Sequence, residues 1–305
     1  MYYTITLNPA IDMLTEVENF ELGKLNRTGE SDYVIGGKGI NISLLLKNIG
    51  KESKALGFIA GFTGYFIKDE LKKQGIESDF VETKGFTRIN IKLTTDTETE
   101  INSQSSKVSA ENIKEFFDIL EALNSEDTVF LSGNIIPGME SDDFVKIAEK
   151  VRQKGAKLVV DSNKDMVINT LKCKPFIVKP NEFELGEMFE TKLNSIEDIK
   201  KYARKLQEMG AQNVLVSRGS KGAILFTSTG EVLGANIANG KVVSTIAAGD
   251  SMLAMFVAKY DETKDFKLSL QYASAAGGAT SFSAGVGKKE LIDELLVQIK
   301  VEELL

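Results

Sequence analysis

The sequence has no histidine and only one cysteine, Cys173, in 305 residues. Without histidine, Ser–His and Cys–His nucleophilic mechanisms are excluded, as is any metal site built on imidazole ligands. Proton transfer in an active site would then fall to Asp, Glu, Lys, Tyr or Cys. A single cysteine cannot form a disulfide within the chain, which favours a reducing compartment, and we predict a cytoplasmic protein.

Further absences limit the expected partners. The sequence has no run of about 18 apolar residues, so we expect no membrane-spanning helix. Its first residues, MYYTITL, are typical of a strand and not of a signal peptide. Lysine and arginine do not cluster, and the net charge at pH 7 is −7. Neither nucleic acid nor a membrane surface is therefore an expected partner.

Strand-like and helix-like segments alternate along most of the chain. Hydrophobic residues make up 42% of the sequence, enough for a large core. Helical spacing follows Ser141 and Ser195, and short apolar runs typical of buried strands lie at 128–131, 157–161, 176–179, 213–217 and 223–227. This alternation predicts an α/β fold with a mostly parallel sheet covered by helices on both faces.

Two segments break this alternation. Residues 13–33 are polar and poor in helix signals, and residues 86–103 alternate between apolar and polar side chains, as half-exposed antiparallel strands do. We predict that both form one small sheet, which is either a lid over a cleft or an edge decoration. The chain then divides into a core of residues 1–12, 34–85 and 104–305 and a lid of residues 13–33 and 86–103.

Small residues lead into a single aspartate, Asp250, directly before the apolar helix-like run 251–258. A small-residue turn at a helix start leaves backbone N–H groups free to bind an anion. A bound phosphate would repel a carboxylate at this place, so the carboxylate is expected to act on the substrate. The segment predicts phosphoryl transfer in which Asp250 accepts a proton from an attacking hydroxyl.

A second glycine-rich segment surrounds Lys38. Gly36, Gly37 and Gly39 permit close approach of the backbone to a ligand, and Asn41 falls on the first turn of the helix that follows. A helix start that carries a lysine suits an anionic substrate. The segment is equally consistent with a plain strand-to-helix turn. The order of residues excludes a Walker A loop.

Two more segments permit two interpretations each. Asn181 and Glu184 follow an apolar strand and offer the oxygen ligands that suit Mg²⁺, but they also fit a helix N-cap. Residues 217–222, SRGSKG, could contact nucleotide phosphates or form a simple hairpin turn.

Isolated residues near the predicted lid complete the candidates. Asp12 follows the first strand, where a carboxylate can bind sugar hydroxyls. Arg27 and Arg88 lie in the two lid segments, and arginine binds phosphate with two parallel hydrogen bonds.

The order of these segments resembles the ribokinase-like family of sugar kinases over essentially the whole chain. The resemblance rests on NPAID at 8–12, GGKGIN at 36–41, GFTG at 61–64, TRIN at 87–90, SGNIIPG at 132–138, KPNEFE at 179–184, SRGSKG at 217–222 and AAGD at 247–250. It implies a Rossmann-like three-layer α/β/α ribokinase-type fold with a small β-sheet lid, and a homodimer formed through the lids. It also implies ATP and Mg²⁺.

Within the family, the chain is most similar to kinases that convert fructose 1-phosphate to fructose 1,6-bisphosphate. It is nearly as similar to kinases that convert tagatose 6-phosphate to tagatose 1,6-bisphosphate. The chain could also be a nucleoside kinase of the same fold, against which Lys38 and Arg88 argue, or a catalytically weak sugar-phosphate sensor.

The resemblance also implies roles for single residues. Asp250 would be the base, and the N–H groups of Ala248, Gly249 and Asp250 would form the anion hole, in the loop that begins at Ala247. The substrate would contact Asp12, Gly36, Gly37, Lys38, Asn41, Arg88, Asn134 and Arg27, of which Lys38 and the two arginines bind the phosphate that it already carries. ATP would contact Lys179, Asn181, Ser217, Gly219, Gly222 and Gly249. Mg²⁺ would be held by Asn181 and Glu184 through water.

Two positions depart from the family. Ala247 stands where the family usually has glycine, which carries a conformational cost if the position needs positive φ. Asn134 stands where the family usually has serine. Both departures bear on rate and substrate identity more than on the reaction class.

Overall fold

The computed structural model describes residues 1–304; Leu305, the last residue of the predicted core, lies outside them. Fourteen strands are formed within residues 1–304. In chain order they are β1 (Tyr2–Thr6), β2 (Ala10–Glu16), β3 (Ser31–Gly36), β4 (Ser53–Ala60), β5 (Glu77–Thr83), β6 (Arg88–Thr94), β7 (Glu98–Ile101), β8 (Thr128–Ser132), β9 (Lys157–Asp161), β10 (Ile177–Val178), β11 (Asn213–Ser217), β12 (Ala223–Phe226), β13 (Val232–Ala235) and β14 (Val301–Glu303).

Ten α-helices connect these strands within the described part of the chain. They are α1 (Lys38–Asn48), α2 (Gly61–Lys73), α3 (Ala110–Ile119), α4 (Ser141–Gln153), α5 (Lys164–Thr170), α6 (Glu182–Met188), α7 (Ile196–Met209), α8 (Ala248–Thr263), α9 (Phe266–Ser281) and α10 (Lys289–Leu296). Local signals fix several ends: Ser195 caps α7 by accepting from the Asp198 N–H, and Gly210 ends it at a φ of 135°. Among residues 1–304, no helix combines the length and the apolar character that a membrane crossing requires.

The larger sheet has the strand order β14-β13-β12-β11-β10-β9-β8-β1-β4-β5. Strands β11 to β5 in this order are parallel, and β12, β13 and β14 add an antiparallel edge. Side chains alternate between two cores: Val129 and Leu131 pack with α3, α4 and α7, whereas Phe130 packs with α1, α8 and α9. The predicted mostly parallel sheet with helices on both faces is confirmed.

The predicted second sheet is also present, in the order β3-β2-β6-β7. Its outer pairs, β2 with β3 and β6 with β7, are antiparallel, but the central pair β2 with β6 is parallel. The prediction of antiparallel strands alone was therefore incomplete. Strands β2 and β6 run in the same direction. The alternation of apolar and polar residues within one segment does not show how that strand is oriented relative to the other. The strands also extend to Ala10 and Gly36, three residues beyond each end of the predicted first lid segment.

Candidate active site

A cavity of about 710 Å³ lies between the small sheet and the core. Asp12 lines it from the small sheet, Asn41 from α1, and Ala247 from the loop before α8. Open parallel sheets bind ligands beyond the carboxyl ends of their strands, and Lys38 at the start of α1 contacts Asp161 at the carboxyl end of β9. A volume of this size is within the range of small-molecule sites.

The loop before α8 has the form expected of an anion site. Ala247 adopts a left-handed conformation with a φ of 63°, and α8 begins at the next residue. The Ala248 N–H makes a long hydrogen bond of 3.4 Å to the Thr245 carbonyl oxygen, whereas the N–H groups of Gly249 and Asp250 have no carbonyl acceptor among the described residues one turn earlier and can face an anion. Ala247 therefore does occupy a position that favours glycine, and the departure from the family carries a conformational cost.

Asp250 lies in the first turn of α8 and is 7% exposed. Its Oδ2 accepts a hydrogen bond of 2.8 Å from the Asn41 side chain, which fixes the carboxylate. Burial, and then the charge of Asp161, raise the pKa of Asp250 to about 6, against the opposing effects of Lys38, Asn41 and Lys179. A carboxylate with such a pKa is a stronger base than a free aspartate and is still mostly ionised at pH 7.

Asp161, at the end of β9, joins two lysines beneath Asp250. It is 1% exposed, and its carboxylate contacts Nζ of Lys38 at 2.7 Å and Nζ of Lys179 at 3.2 Å. Burial raises the pKa of Asp161, but the two ammonium groups outweigh this effect and hold it below its usual value. Asp161 was not predicted as a site residue, although an aspartate at the carboxyl end of a buried parallel strand is a usable signal of one.

Lys38 reaches the centre of this cluster. Burial lowers the pKa of its ammonium group, but Asp161, and then Asp250, outweigh burial and raise it. The ammonium group of Lys179 lies on the other side, close enough to Gly249 that a Cβ there would be 3.0 Å from its Nζ. Two cations thus flank the loop that would receive the transferred phosphoryl group. The contact of Lys38 with a phosphate on the substrate stays a prediction.

Three of the predicted substrate residues, Asp12, Gly36 and Gly37, lie together at the small sheet. Asp12 Oδ1 accepts a hydrogen bond of 2.8 Å from the Asn90 side chain, so the carboxylate is held in place. A Cβ on Gly36 would be 2.5 Å from Asp12 Oδ2, and Gly37 has a φ of 126°. Both glycines are therefore needed for the close packing of this turn.

Arg88 begins β6 opposite Ala10 and is half-buried. Its guanidinium donates to the carbonyl oxygens of Asn8 at 3.0 Å and of Pro9 at 3.4 Å, which ties it to the turn after β1. Burial lowers its pKa, although a guanidinium remains charged.

Two other predicted substrate residues are exposed. Asn134 accepts a hydrogen bond of 3.0 Å from the side chain of Asn163, the N-cap of α5. Arg27 lies in the segment that joins β2 to β3. Their contacts with substrate stay predictions.

Asn181 and Glu184 form a reciprocal N-cap for α6. Asn181 Oδ1 accepts from the Glu184 N–H, and Glu184 Oε2 accepts from the Asn181 N–H, both at 2.8 Å. The N-cap interpretation is thus confirmed locally. Within residues 1–304, no group of three or more histidine, cysteine, aspartate or glutamate side chains is placed to hold a metal directly. The amide and carboxylate oxygens of Asn181 and Glu184 are compatible with Mg²⁺ held through coordinated water, and this role stays a prediction.

Residues 217–222 connect β11 and β12 as a hairpin, in agreement with the simpler interpretation. A Cβ on Gly222 would be 2.0 Å from the Ala235 carbonyl oxygen, so this glycine has a packing role. Ser217 pairs with Asn181 across adjacent segments, which places the hairpin beside the start of α6. Contact of Ser217, Gly219 or Gly222 with a nucleotide stays a prediction.

The substitution Ala247→Gly is expected to raise the free energy of unfolding by up to about 1 kcal/mol. It removes the strain of an L-residue at positive φ, although the greater freedom of unfolded glycine offsets part of the gain. Urea unfolding at equilibrium measures the difference. Ala248→Gly is the matched control: it lies one residue later in helical conformation and should instead destabilise by about 0.5–1 kcal/mol. A lower free energy of unfolding for Ala247→Gly would contradict the assigned strain.

Known proteins are similar to this chain along its whole length. The chain is 42% identical over 304 residues to a 1-phosphofructokinase of Bacillus subtilis, and 37% identical over 305 residues to a D-tagatose-1-phosphate kinase of Bacillus licheniformis, covering all of each protein. Its fold matches the ribokinase of Arabidopsis thaliana with a TM-score of 0.79 at 19% identity, over 96% of this chain and 98% of that one.

The predicted resemblance and the ribokinase-type α/β/α fold are confirmed by these findings. The relative from Bacillus licheniformis is named for D-tagatose 1-phosphate, whereas the alternative predicted from the sequence was tagatose 6-phosphate. A family model for the pfkB carbohydrate kinases matches residues 5–291. The chain belongs to the pfkB family of carbohydrate kinases.

Proposed function

We propose that the protein transfers the γ-phosphoryl group of ATP to a free hydroxyl of fructose 1-phosphate and so forms fructose 1,6-bisphosphate. The observation that carries this proposal is the buried Asp250, held by Asn41 at the start of α8 and flanked by Lys38 and Lys179. The 42% identity to a 1-phosphofructokinase supports the choice of sugar.

In the proposed reaction, the hydroxyl oxygen of the sugar forms a bond to the γ-phosphorus of ATP, and the bond from that phosphorus to the ADP oxygen breaks. Asp250 accepts the proton that the hydroxyl loses. The N–H groups at the start of α8 and the two lysines stabilise the charge on the transferring oxygens. Asp12 and Asn41 orient the sugar, since positioning is a large part of catalysis in such transfers. When bound, Mg²⁺ would neutralise charge on the phosphates of ATP, and Asn181 and Glu184 would hold its coordinated water.

The decisive experiment is an ATP-coupled assay on fructose 1-phosphate, tagatose 1-phosphate, tagatose 6-phosphate and fructose 6-phosphate, with identification of the product. We expect the highest kcat/KM for fructose 1-phosphate. The 37% identity to a D-tagatose-1-phosphate kinase makes tagatose 1-phosphate the second candidate. Binding of sugar phosphates without turnover of any of them would favour the sensor and overturn the proposal.

Arg88→Ala is expected to raise KM for the sugar phosphate at least about tenfold, with little change in KM for ATP. Arg88 is anchored at the turn that leads to Asp12, on the sugar side of the cavity, so its loss removes a cation from that side only. Steady-state kinetics with each substrate varied in turn measures both constants. Arg88→Lys, which keeps the charge but not the fork, should have an intermediate effect. Equal increases in the two KM values would contradict this role.

We also propose that the small sheet is a lid that closes on the substrates and pairs with a second copy. Its support is a set of exposed apolar side chains on the small sheet and its connection, namely Phe20, Leu22, Leu25, Tyr33 and Ile101. The proposal keeps the predicted division of the chain into core and lid.

The reducing cytoplasm stays our prediction for the compartment, supported by the single buried cysteine.

A further inference from the structure

The last turn of α9 contacts two segments that line the cavity. The carbonyl oxygen of Ser281 accepts hydrogen bonds from the N–H groups of Val243 at 2.8 Å and Ser244 at 3.2 Å. These residues begin the segment that leads to Ala247, and both line the cavity. Residues 283–286, directly after α9, line it as well. The last turn of α9 is thus connected to both cavity-lining segments, the one that begins at Val243 and the one at residues 283–286.

The side chain of Thr280, in the same turn, makes two buried hydrogen bonds. Its Oγ1 accepts from the N–H of Gly287 at 3.0 Å and donates to Oγ of Ser251 at 2.7 Å. Thr280 is 1% exposed and Ser251 is fully buried. Bulk water therefore cannot replace either bond if the hydroxyl is removed, and the polar groups at Gly287 and Ser251 would lose these bonds in the interior.

Ser251 carries this connection to the reacting groups. It follows Asp250 directly, and its N–H donates to the Ala247 carbonyl oxygen at 2.8 Å, which closes the first turn of α8. On the other side, the Asn48 side chain donates to the carbonyl oxygens of Val286 and Gly287 at 3.2 and 3.0 Å. The wall segment 283–287 is thus fixed between α1 and α9, and Thr280 extends this connection to the start of α8.

We propose that Thr280 is a positioning residue for phosphoryl transfer: its single hydroxyl sets the place of the first turn of α8, with Asp250 and the anion hole, relative to the cavity wall 283–287. The proposal rests on the proposed function for its effect on rate. Thr280 touches no substrate and acts only through Ser251 and Gly287.

The test compares Thr280→Val, which keeps the shape and removes the hydroxyl, with Thr280→Ser, which keeps the hydroxyl. The matched control is Ser274→Ala, on the same helix, because Ser274 Oγ is buried and has no hydrogen-bond partner among residues 1–304. We expect Thr280→Val to lower kcat at least about tenfold, because a displaced Asp250 and anion hole would raise the activation barrier of phosphoryl transfer. KM for the sugar phosphate should change less than about twofold, since Asp12 and Arg88 are held by other bonds.

Hydrogen exchange of the unliganded protein tests the connection without reference to any activity. In Thr280→Val, the hydrogen-bonded amides of Ser251 and Gly287 should exchange faster, whereas Thr280→Ser and Ser274→Ala should match the parent protein in exchange and in kcat. Faster exchange without a sugar-phosphate kinase activity in the parent protein would sink the proposed function but leave the connection standing. Unchanged exchange, or a loss of kcat that Ser274→Ala reproduces, would overturn the role of Thr280. If Thr280→Val does not fold, Thr280→Ala replaces it.

Discussion

Asp250→Asn is expected to fold normally and to lose about 10³-fold in kcat, the range of a lost general base. Asparagine has nearly the same shape and can keep the hydrogen bond from Asn41, but it cannot accept the hydroxyl proton. The variant should be at least as stable as the parent protein at pH 8, because it removes a buried negative charge that Asp161 repels. Coupled kinetics and equilibrium unfolding measure the two effects. Turnover within about tenfold of the parent protein would rule out Asp250 as the base.

The same assignment fixes the pH dependence. Burial and the charge of Asp161 raise the pKa of Asp250 to about 6, and only the ionised form accepts a proton. We therefore expect kcat/KM, which reports the pKa of the free enzyme, to be nearly constant above pH 7 and to fall as pH decreases through about 6. In Asp250→Asn, the residual rate should lose this dependence. Retention of the acid limb in that variant would assign it to another group.

Asp161→Asn is expected to lower kcat at least about 10²-fold, comparable to the loss of one group that stabilises transition-state charge. The neutral amide leaves Lys38 and Lys179 without their shared counter-charge, so neither ammonium group is held beside the loop of Gly249. The free energy of unfolding should also fall, by about 3–5 kcal/mol, because the variant leaves the buried ammonium group of Lys179 without its carboxylate partner.

Asp127→Asn is the matched control for this loss. Asp127 is 3% exposed and pairs with the N-terminal amine at 3.2 Å, and it lies directly before the amino end of β8, whereas Asp161 lies at the carboxyl end of the neighbouring strand β9. Asp127→Asn should lower the free energy of unfolding. It should leave kcat unchanged at a temperature where both Asp127→Asn and Asp161→Asn are folded. Similar losses of kcat in both variants would reduce the Asp161 effect to general destabilisation. A double-mutant cycle of Asp161→Asn with Lys38→Met should be strongly non-additive if both residues act together.

Much of the fold was predictable because its signals are local. Alternating short apolar runs and helical spacing predicted the parallel sheet, and the helical spacing after Ser195 marked the start of α7 correctly. The parallel pairing of β2 with β6 was not predictable in this way. It joins residues nearly eighty positions apart, such as Ala10 and Arg88, and no local pattern records which way two distant segments run past each other.

The sequence by itself excluded histidine as the base and placed Asp250 at a helix start, as the structure confirms. Only the tertiary structure decided what surrounds it. Asp161 lies 89 positions before Asp250 and was predicted as an ordinary strand residue. In the structure, β9 and α8 bring the two carboxylates into one cluster, in which Lys38 and Lys179 both pair with Asp161. Such a cluster depends on burial and on distances between segments far apart in the chain, and both arise only when the sheet and its helices pack.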